Sequence, residues 1–321
     1  MAIDERDITK KAFYGYEKPC GGPEFMDTLK VRIDKEVFEI DVSGTTSPKT
    51  LEILKPFLPF KIELHYAKVA GEEVMGMMPF HTPLEREIEV AQARPGMLVY
   101  WPPRQLLCFF YGKMQPESAH VNVLGYLKND LEKFASYGES VRKDQGKKLH
   151  YCDVYIGDPY GEFSPVCPKH YSLDYYEQEI WLKMPEEIKK IIAKQGIMRP
   201  AGLILYAETD TRVFHEFLSM TRDKVVKNPR NLLYVKKILM EYLNYFHNKM
   251  LGWYALEKTA FVIKRYMESF DKSDSSQSLI SLLSSVTLFI GRINMWLDAL
   301  ILWDDINENM KSTRPSIIGV E

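Results

Sequence analysis

The spacing of hydrophobic residues changes near residue 172, and this change limits the folds open to the chain. Before about residue 131, apolar and polar residues alternate in short segments such as "LKVRID" (residues 29–34) and "VFEIDV" (37–42). A period of two is typical of strands with one buried face. After residue 172, apolar residues recur every three or four positions, as in amphipathic helices. The sequence therefore predicts an α+β protein in two parts.

The first part, residues 29–135, is predicted to be a closed or half-closed β-barrel. Several strand-like segments are separated by turn signals, and one short helix is indicated where Thr46 or Ser47 precedes Pro48. One short helix among many strands favours a barrel.

The second part, residues 172–311, is predicted to be an all-α helical bundle. Residues 136–171 are rich in turn formers and are interpreted as a connector on the surface, with an N-terminal arm (1–28) and a tail (312–321) at the ends. The longest charge-free run, "SSQSLISLLSSVTLFIG" (275–291), is serine-rich and shorter than the roughly 20 apolar residues of a bilayer span. It is therefore interpreted as a buried helix.

Charge and cysteine content exclude several classes of protein. The 321 residues carry a formal net charge of −2, which argues against a nucleic-acid or anionic-membrane binder. The first residues, "MAIDERDITKK", contain no apolar signal segment, and the four cysteines are scattered without metal or disulfide spacing. We expect a cytoplasmic protein with reduced thiols.

Common cofactor motifs are missing from the sequence. No GxGxxG, GxxxxGK[ST], GxSxG or HExxH pattern occurs, so neither a nicotinamide nor a flavin cofactor is expected. The acidic residues Asp304, Asp305 and Glu308 could hold a hard cation, but such clusters are more often the exposed face of a helix. A divalent cation is left open by the sequence.

The segments "PGMLVYWPPRQLLCFFYGK" (95–113) and "QPESAHVNVLGYL" (115–127) carry the most specific motif. They resemble the bacterial and archaeal cyclophilin-like proteins over roughly residues 29–131. The matching positions are Gly96, Tyr100, Trp101, Pro102, Pro103, Cys108, Gly112, Pro116, Ser118, Val121, Asn122 and Val123.

A barrel of this type joined to a C-terminal helical bundle resembles the cucumopine and mikimopine synthases, which are opine-forming enzymes. The resemblance implies that L-histidine and 2-oxoglutarate are joined without reduction. The α-amine would form an imine with the keto group, and the imidazole carbon would then close a six-membered ring, as in a Pictet–Spengler reaction. The missing dinucleotide motif agrees with such a non-reductive synthase, and which epimer would form is open.

This chemistry needs a general acid and base, together with groups that bind three substrate carboxylates. The chain departs from the cyclophilin-like pattern by placing Arg104 after Pro-Pro and by admitting His120 beside Glu117. We expect His120 to act as general base or acid, with Glu117 as its partner or a second acid. Arg104 is expected to clamp a carboxylate, and Trp101 to stack on the imidazole.

Two further substrate contacts are expected in the proline-flanked segment "MPFHTPLERE", at His81 and Arg86. Structural roles are the alternatives for all these residues. His120 would then be a hydrogen-bonded histidine at a strand start, Arg104 would cap the turn, and Trp101 would belong to the barrel wall.

Two other functions stay open at this stage. The fold alone suggests a peptidyl-prolyl isomerase, although "PFHTP" has Thr82 where true cyclophilins have arginine. The other is a non-catalytic binding module for a small ligand. For either the synthase or the module, Trp296 and Trp303 on the last apolar helix could pack within the chain or against a second subunit, and we expect a homodimer.

Overall fold

The computed structural model describes residues 27–68, 71–85, 87–114, 119–158, 161–169, 174–193, 199–228 and 232–318. It confirms the predicted α+β class, with an N-terminal barrel followed by helices. The strands described are β1 (Thr28–Ile33), β2 (Glu36–Asp41), β3 (Phe60–Tyr66), β4 (Gly71–Met77), β5 (Glu87–Glu89), β6 (Met97–Trp101), β7 (Leu106–Met114), β8 (His120–Leu127) and β9 (His150–Tyr155).

The helices lie mostly after the barrel. Two of them belong to the N-terminal half, α1 (Pro48–Leu54) and α2 (Leu131–Asp144). The others described are α3 (Tyr175–Leu182), α4 (Glu186–Ile192), α5 (Pro200–Lys227), α6 (Leu232–Gly252), α7 (Glu257–Asp271), α8 (Ser276–Asp298) and α9 (Trp303–Ile318).

Eight antiparallel strands close the barrel in the order β2-β1-β9-β3-β4-β7-β6-β8. The ring closes where Ile40 of β2 lies opposite Leu127 of β8, and β5 pairs with the first residues of β8. The interior is packed with apolar side chains, with Val31, Leu64 and Leu107 in its core. Closure leaves these eight strands without an exposed edge.

The segment predicted as a surface connector, residues 136–171, is instead part of the barrel domain. It contains the second half of α2 and the whole of β9, which pairs with both β1 and β3. Cys152 and Val154 on β9 are buried, whereas Tyr151 is exposed. This short alternation is surrounded by turn residues, which obscure it in the sequence. The predicted tail also differs, because α9 continues to Ile318.

The apolar run after the Pro-Pro turn is buried on both of its faces. Leu107, Phe109 and Tyr111 point into the barrel core. Leu106, Cys108 and Phe110 point outward into a second core shared with the helices. A strand covered on both sides reads as a continuous apolar segment. Barrel and helices therefore share a hydrophobic core.

Helices α5 and α8 form the layer against the outer face of the barrel. The charge-free run is a buried helix, as predicted, and Leu283, Val286 and Ile290 of α8 are fully buried. Among the described residues, α8 alone has the length and apolar composition of a membrane span, but 78% of its most apolar window is buried inside the protein.

Candidate functional site

The Pro-Pro-Arg turn is fixed to the helical layer. Pro102–Arg104 form one 3-10 turn, and Gln105 then adopts a left-handed backbone conformation with φ 52°. The Gln105 amide donates to the Pro102 carbonyl over 2.6 Å, while its Oε1 accepts from Nε2 of His215 on α5 over 2.7 Å. Burial, followed by the charge of Arg104, lowers the pKa of His215 well below its ordinary value, so this imidazole is neutral at neutral pH.

Arg104 points from this turn into the boundary between the barrel and the helices, which we call the seam. It is 7% exposed there. Its Nη1 donates to Glu216 of α5 over 2.9 Å, and its Nη2 donates to Asn294 Oδ1 of α8 over 2.8 Å. Its Nε has no hydrogen-bond partner among the described residues. Burial lowers the Arg104 pKa, and the attraction of Glu216 opposes this effect.

Alternating charges extend from Arg104 along the seam. Arg212 Nη1 lies 3.9 Å from Glu216 Oε1, and Arg212 Nε lies 3.4 Å from Glu208 Oε1. Lys68, two residues after β3, contacts through its Nζ both Glu208 at 2.5 Å and Asp298 at 2.6 Å. We call this set the seam network: Lys68, Arg104, Glu208, Arg212, Glu216 and Asp298.

His65 lies at the buried end of the seam network. Its Nδ1 is 3.7 Å from Asp298 Oδ2, and its Nε2 is 3.8 Å from Glu63 Oε1. Both distances exceed hydrogen-bond length, and Nε2 has no hydrogen-bond partner among the described residues. An unsatisfied polar group in a protein interior requires an explanation, and a functional role is one of them.

The carboxyl group of Asp298 is strongly perturbed by its neighbours. Burial alone raises its pKa, but the charges of Lys68 and His65 more than offset burial. The net result is a pKa well below the usual range, so Asp298 is ionised at neutral pH.

Arg292 of α8 holds Glu63 beside His65. The Arg292 guanidinium pairs with the Glu63 carboxylate and donates to the carbonyl of Ile180 over 3.0 Å. It also lies 5.1 Å from the ring centroid of Trp181 and 4.2 Å from that of Trp296. Burial lowers its pKa to about 9, which still leaves a cation at neutral pH.

Two of the sequence-predicted substrate contacts, Trp101 and His81, lie at the same end of the barrel, because Trp101 and the last residue of β4, Met77, both lie opposite Leu106. Trp101 is half-buried at the end of β6. His81 is buried, and its Nε2 donates to the Ser284 carbonyl of α8 over 3.1 Å. Burial, with a further effect of Arg222, lowers the His81 pKa well below its ordinary value, so His81 is neutral. Arg86 lies outside the described residues.

The predicted acid–base pair is only partly described. His120 is half-buried at the start of β8, two residues before Asn122, which pairs with Tyr100. This register places His120 at the barrel end where the Pro102–Arg104 turn begins. Glu117 lies outside the described residues. The catalytic roles of both stay predictions.

Sequence reasoning missed the seam network apart from Arg104. Glu63 and His65 alternate with Ile62 and Leu64, so their position outside the barrel follows from the period of two. Their burial does not follow, because it depends on helices more than 100 residues later in the chain.

The acidic residues near the C-terminus are engaged by cations of the protein. Asp304 pairs with Arg142 of α2, Asp305 lies 3.1 Å from Lys147, and Glu308 lies 2.7 Å from Lys311. No group of three or more metal-ligating side chains occurs within the described parts of the chain.

Comparison with known proteins supports this architecture. Residues 27–142 match the family described as Cyclophilin-like. No curated protein matches the chain. The solved structure of McbB in complex with tryptophan is similar, with a TM-score of 0.75 and 14% identity over 88% of this chain and 99% of McbB. A hypothetical protein, AF2241 from Archaeoglobus fulgidus, covers 42% of this chain and 98% of its own at 21% identity, but its TM-score of 0.32 carries no argument.

Proposed function

We propose that this protein is an opine synthase that joins L-histidine to 2-oxoglutarate by imine formation and ring closure, without a nicotinamide or flavin. The seam network carries the proposal. Lys68, Arg104 and Arg212 bring three cationic groups to one seam beside the buried imidazole of His65. The two substrates together carry three carboxylates, for which such cations are suitable partners.

The similarity to McbB supports an amino acid with a heteroaromatic ring as one substrate. McbB is in complex with tryptophan, whose ring and α-amine are joined through a short carbon chain. Histidine shares this arrangement. In both amino acids, an imine formed at the α-amine can be attacked by a ring carbon to close a six-membered ring.

The reaction balances without a redox partner. The amine adds to the keto carbon of 2-oxoglutarate, and protonation of the resulting hydroxyl releases one water and leaves the imine. A carbon of the imidazole ring then bonds to the imine carbon, and the electron pair of the C=N bond passes to nitrogen, which takes a proton. Loss of the proton from the attacking ring carbon restores aromaticity. The product equals both substrates less one water.

His65 is the acid–base group that the geometry supports best. It lies between the carboxylates of Glu63 and Asp298, and its Nε2 has no hydrogen-bond partner among the described residues. A nearby carboxylate orients an imidazole ring. His120 with Glu117 is the alternative acid–base pair, and Arg104 is the proposed carboxylate clamp. Trp101, His81 and Arg86 remain proposed substrate contacts.

The test is a reaction of purified protein with L-histidine and 2-oxoglutarate, without nicotinamide, followed by mass spectrometry and proton NMR. We expect a product of the summed mass less one water, with one imidazole C–H signal lost. If both substrates remain, with and without a divalent cation, the synthase proposal fails.

The same preparation distinguishes the other functions. A binding module would retain a ligand but consume neither substrate, which calorimetry detects. A proline isomerase would act on a test peptide without 2-oxoglutarate. The isomerase is disfavoured because "PFHTP" has Thr82 where true cyclophilins have arginine.

A further inference from the structure

We infer that Glu216 is an internal substitute for a substrate carboxylate: its own carboxylate pairs with Arg104 and is displaced when an anionic substrate binds. The inference rests on the proposed function for the identity of the anion, a dicarboxylate. By this inference Glu216 controls the affinity for the substrate, and it takes no part in the chemical steps of the proposed reaction.

The orientation of Arg104 does not depend on Glu216. Nη2 of Arg104 is bound by Asn294 Oδ1, and the Asn294 amide in turn donates to Thr211 Oγ1 over 3.0 Å and to the Glu208 carbonyl over 2.9 Å. All of these groups are buried. The guanidinium therefore stays in place when Nη1 changes its partner.

Glu216 is the exposed member of its pair. Its side chain is 39% exposed, against 9% for the side chain of Arg104. Water can replace Arg104 as the partner of the partly exposed Glu216 carboxylate, and an incoming substrate carboxylate keeps the buried guanidinium paired. The Glu216 carboxylate can therefore leave Arg104 at small cost, whereas Arg104 cannot leave the seam without losing Asn294.

Displacement of Glu216 leaves a site suited to a carboxylate. Nη1, which donates to Glu216 in the pair, becomes available to an oxygen of the incoming carboxylate. Arg212, whose Nη1 lies 3.9 Å from Glu216, supplies a further positive charge at the same place. Charge-assisted hydrogen bonds of this kind are among the strong ones in proteins.

The Glu216 carboxylate competes with the substrate carboxylate for Arg104. Removing its charge should strengthen binding of the anion, because no ion pair has to be broken first and one like charge is taken away. Glu216→Gln keeps the size and an acceptor oxygen, and it removes the charge alone. A glutamate that merely positions Arg104 would give the opposite result, since its loss would weaken binding.

The experiment measures the Kd of 2-oxoglutarate by titration calorimetry for the wild type, Glu216→Gln, Glu216→Ala and Arg104→Ala. Glu241→Gln on α6, at an exposed glutamate outside the seam, is the matched control. We expect Kd to fall at least fivefold in both Glu216 variants, to stay within twofold in the control, and to rise at least tenfold in Arg104→Ala. Circular dichroism verifies that each variant is folded.

Other outcomes overturn the inference. Unchanged or weaker binding in the Glu216 variants does so, as does a wild type and Glu216→Gln pair that both fail to bind 2-oxoglutarate. The reaction assay separates this result from failure of the proposed function. If product forms while the Glu216 variants bind no more tightly, the inference alone fails. If binding tightens as expected but no variant forms product, the proposed reaction alone fails.

Discussion

Arg292 of α8 and Glu63 of β3 form an ion pair inside the protein, where their side chains are 2% and 5% exposed. The pair joins the outer surface of the barrel to the helix packed on it. Trp181 and Trp296 enclose the guanidinium, and the carbonyls of Ile180 and Trp181 accept its remaining hydrogen bonds. The helical part therefore supplies the partner of a charge that the barrel alone would leave exposed.

Breaking this pair on one side should strongly destabilise the protein. Arg292→Met leaves the Glu63 carboxylate buried without its cation, and we expect a loss of about 3–5 kcal/mol in the free energy of unfolding. The double variant Arg292→Met/Glu63→Gln removes the uncompensated charge and should recover part of that loss. Urea denaturation measures both values. A loss below about 1 kcal/mol in the single variant would contradict a paired role for Arg292.

Gly291 permits the close approach of α8 to the barrel. A Cβ atom added there would lie 2.6 Å from Met77 Cε and 2.7 Å from the His215 ring. We expect Gly291→Ala to lower the free energy of unfolding by about 1–3 kcal/mol, as overpacked cores do. Gly202→Ala on α5 is the control, because no heavy atom lies within 4 Å of its added Cβ. The packing argument fails if the two variants have equal effects in thermal denaturation.

Asp298 should make stability depend on pH in the acid range. Its pKa in the folded protein lies below the ordinary value of 3.8, which applies to the unfolded chain. Its stabilising contribution is therefore complete above about pH 4 and is lost as the pH falls towards the folded-state pKa. We expect Asp298→Asn to cost on the order of 2 kcal/mol at pH 7 and progressively less below pH 4. Urea titrations between pH 3 and pH 7 measure this difference, and a cost independent of pH would refute the ion-pair explanation.

Substitutions of His65 and His120 distinguish between the two acid–base groups proposed for the reaction. Loss of a general acid or base typically lowers the rate by about 10²–10⁴-fold. We expect His65→Asn to lower kcat/KM by at least 100-fold, with thermal stability changed by only a few degrees. His120→Asn in the same assay tests the alternative acid–base pair. His150→Asn is the control, because His150 pairs with Asp144 outside the seam. If only His120→Asn is inactive, the acid–base role belongs to the Pro-Pro end of the barrel and not to His65.

The barrel strands could be predicted because the alternation of apolar and polar residues is contained within each short segment of sequence. The strands predicted at residues 29–34 and 37–42 and the short helix at Pro48 are confirmed, and the alternation in β3 correctly orients Glu63 and His65. The partners of these residues are not local. Arg292 and Asp298 lie in the long apolar helix α8. Neither the sequence of β3 nor that of α8 indicates that these residues contact Glu63 and His65.

Arg104 also shows that the sequence can single out a residue without predicting its contacts. Its departure from the cyclophilin-like pattern singles it out in the sequence, but its contacts with Glu216 and Asn294 depend on the packing of α5 and α8. β9 was missed for a related reason. A six-residue alternation within a turn-rich stretch becomes a strand only because the gap between β1 and β3 is there to receive it.

The predicted homodimer requires a surface other than the one considered in the sequence. Trp296 is buried inside its own chain, and Trp303 packs half-buried against Lys68. Exposed apolar side chains instead recur every seven residues along α5, at Tyr206, Val213 and Met220.

The neighbouring helix α6 extends this apolar surface. Phe217 of α5 stacks on Tyr242 at 4.4 Å between ring centroids, and Tyr242, Tyr245 and Trp253 are exposed. Aromatic side chains bury about 150–250 Å² each. The exposed residues of the two helices can therefore approach the roughly 800 Å² per partner of a stable interface.

We expect the wild-type protein to have the mass of a dimer in size-exclusion chromatography with light scattering. The double variant Val213→Glu/Met220→Glu places like charges at the centre of the α5 surface, where they would face each other across a two-fold interface, and it should be monomeric. Val37→Glu on β2, at an exposed apolar residue on the barrel, should leave the dimer intact. A monomeric wild type would refute the predicted dimer, and a dimer unaffected by the double variant would place its interface elsewhere on the protein.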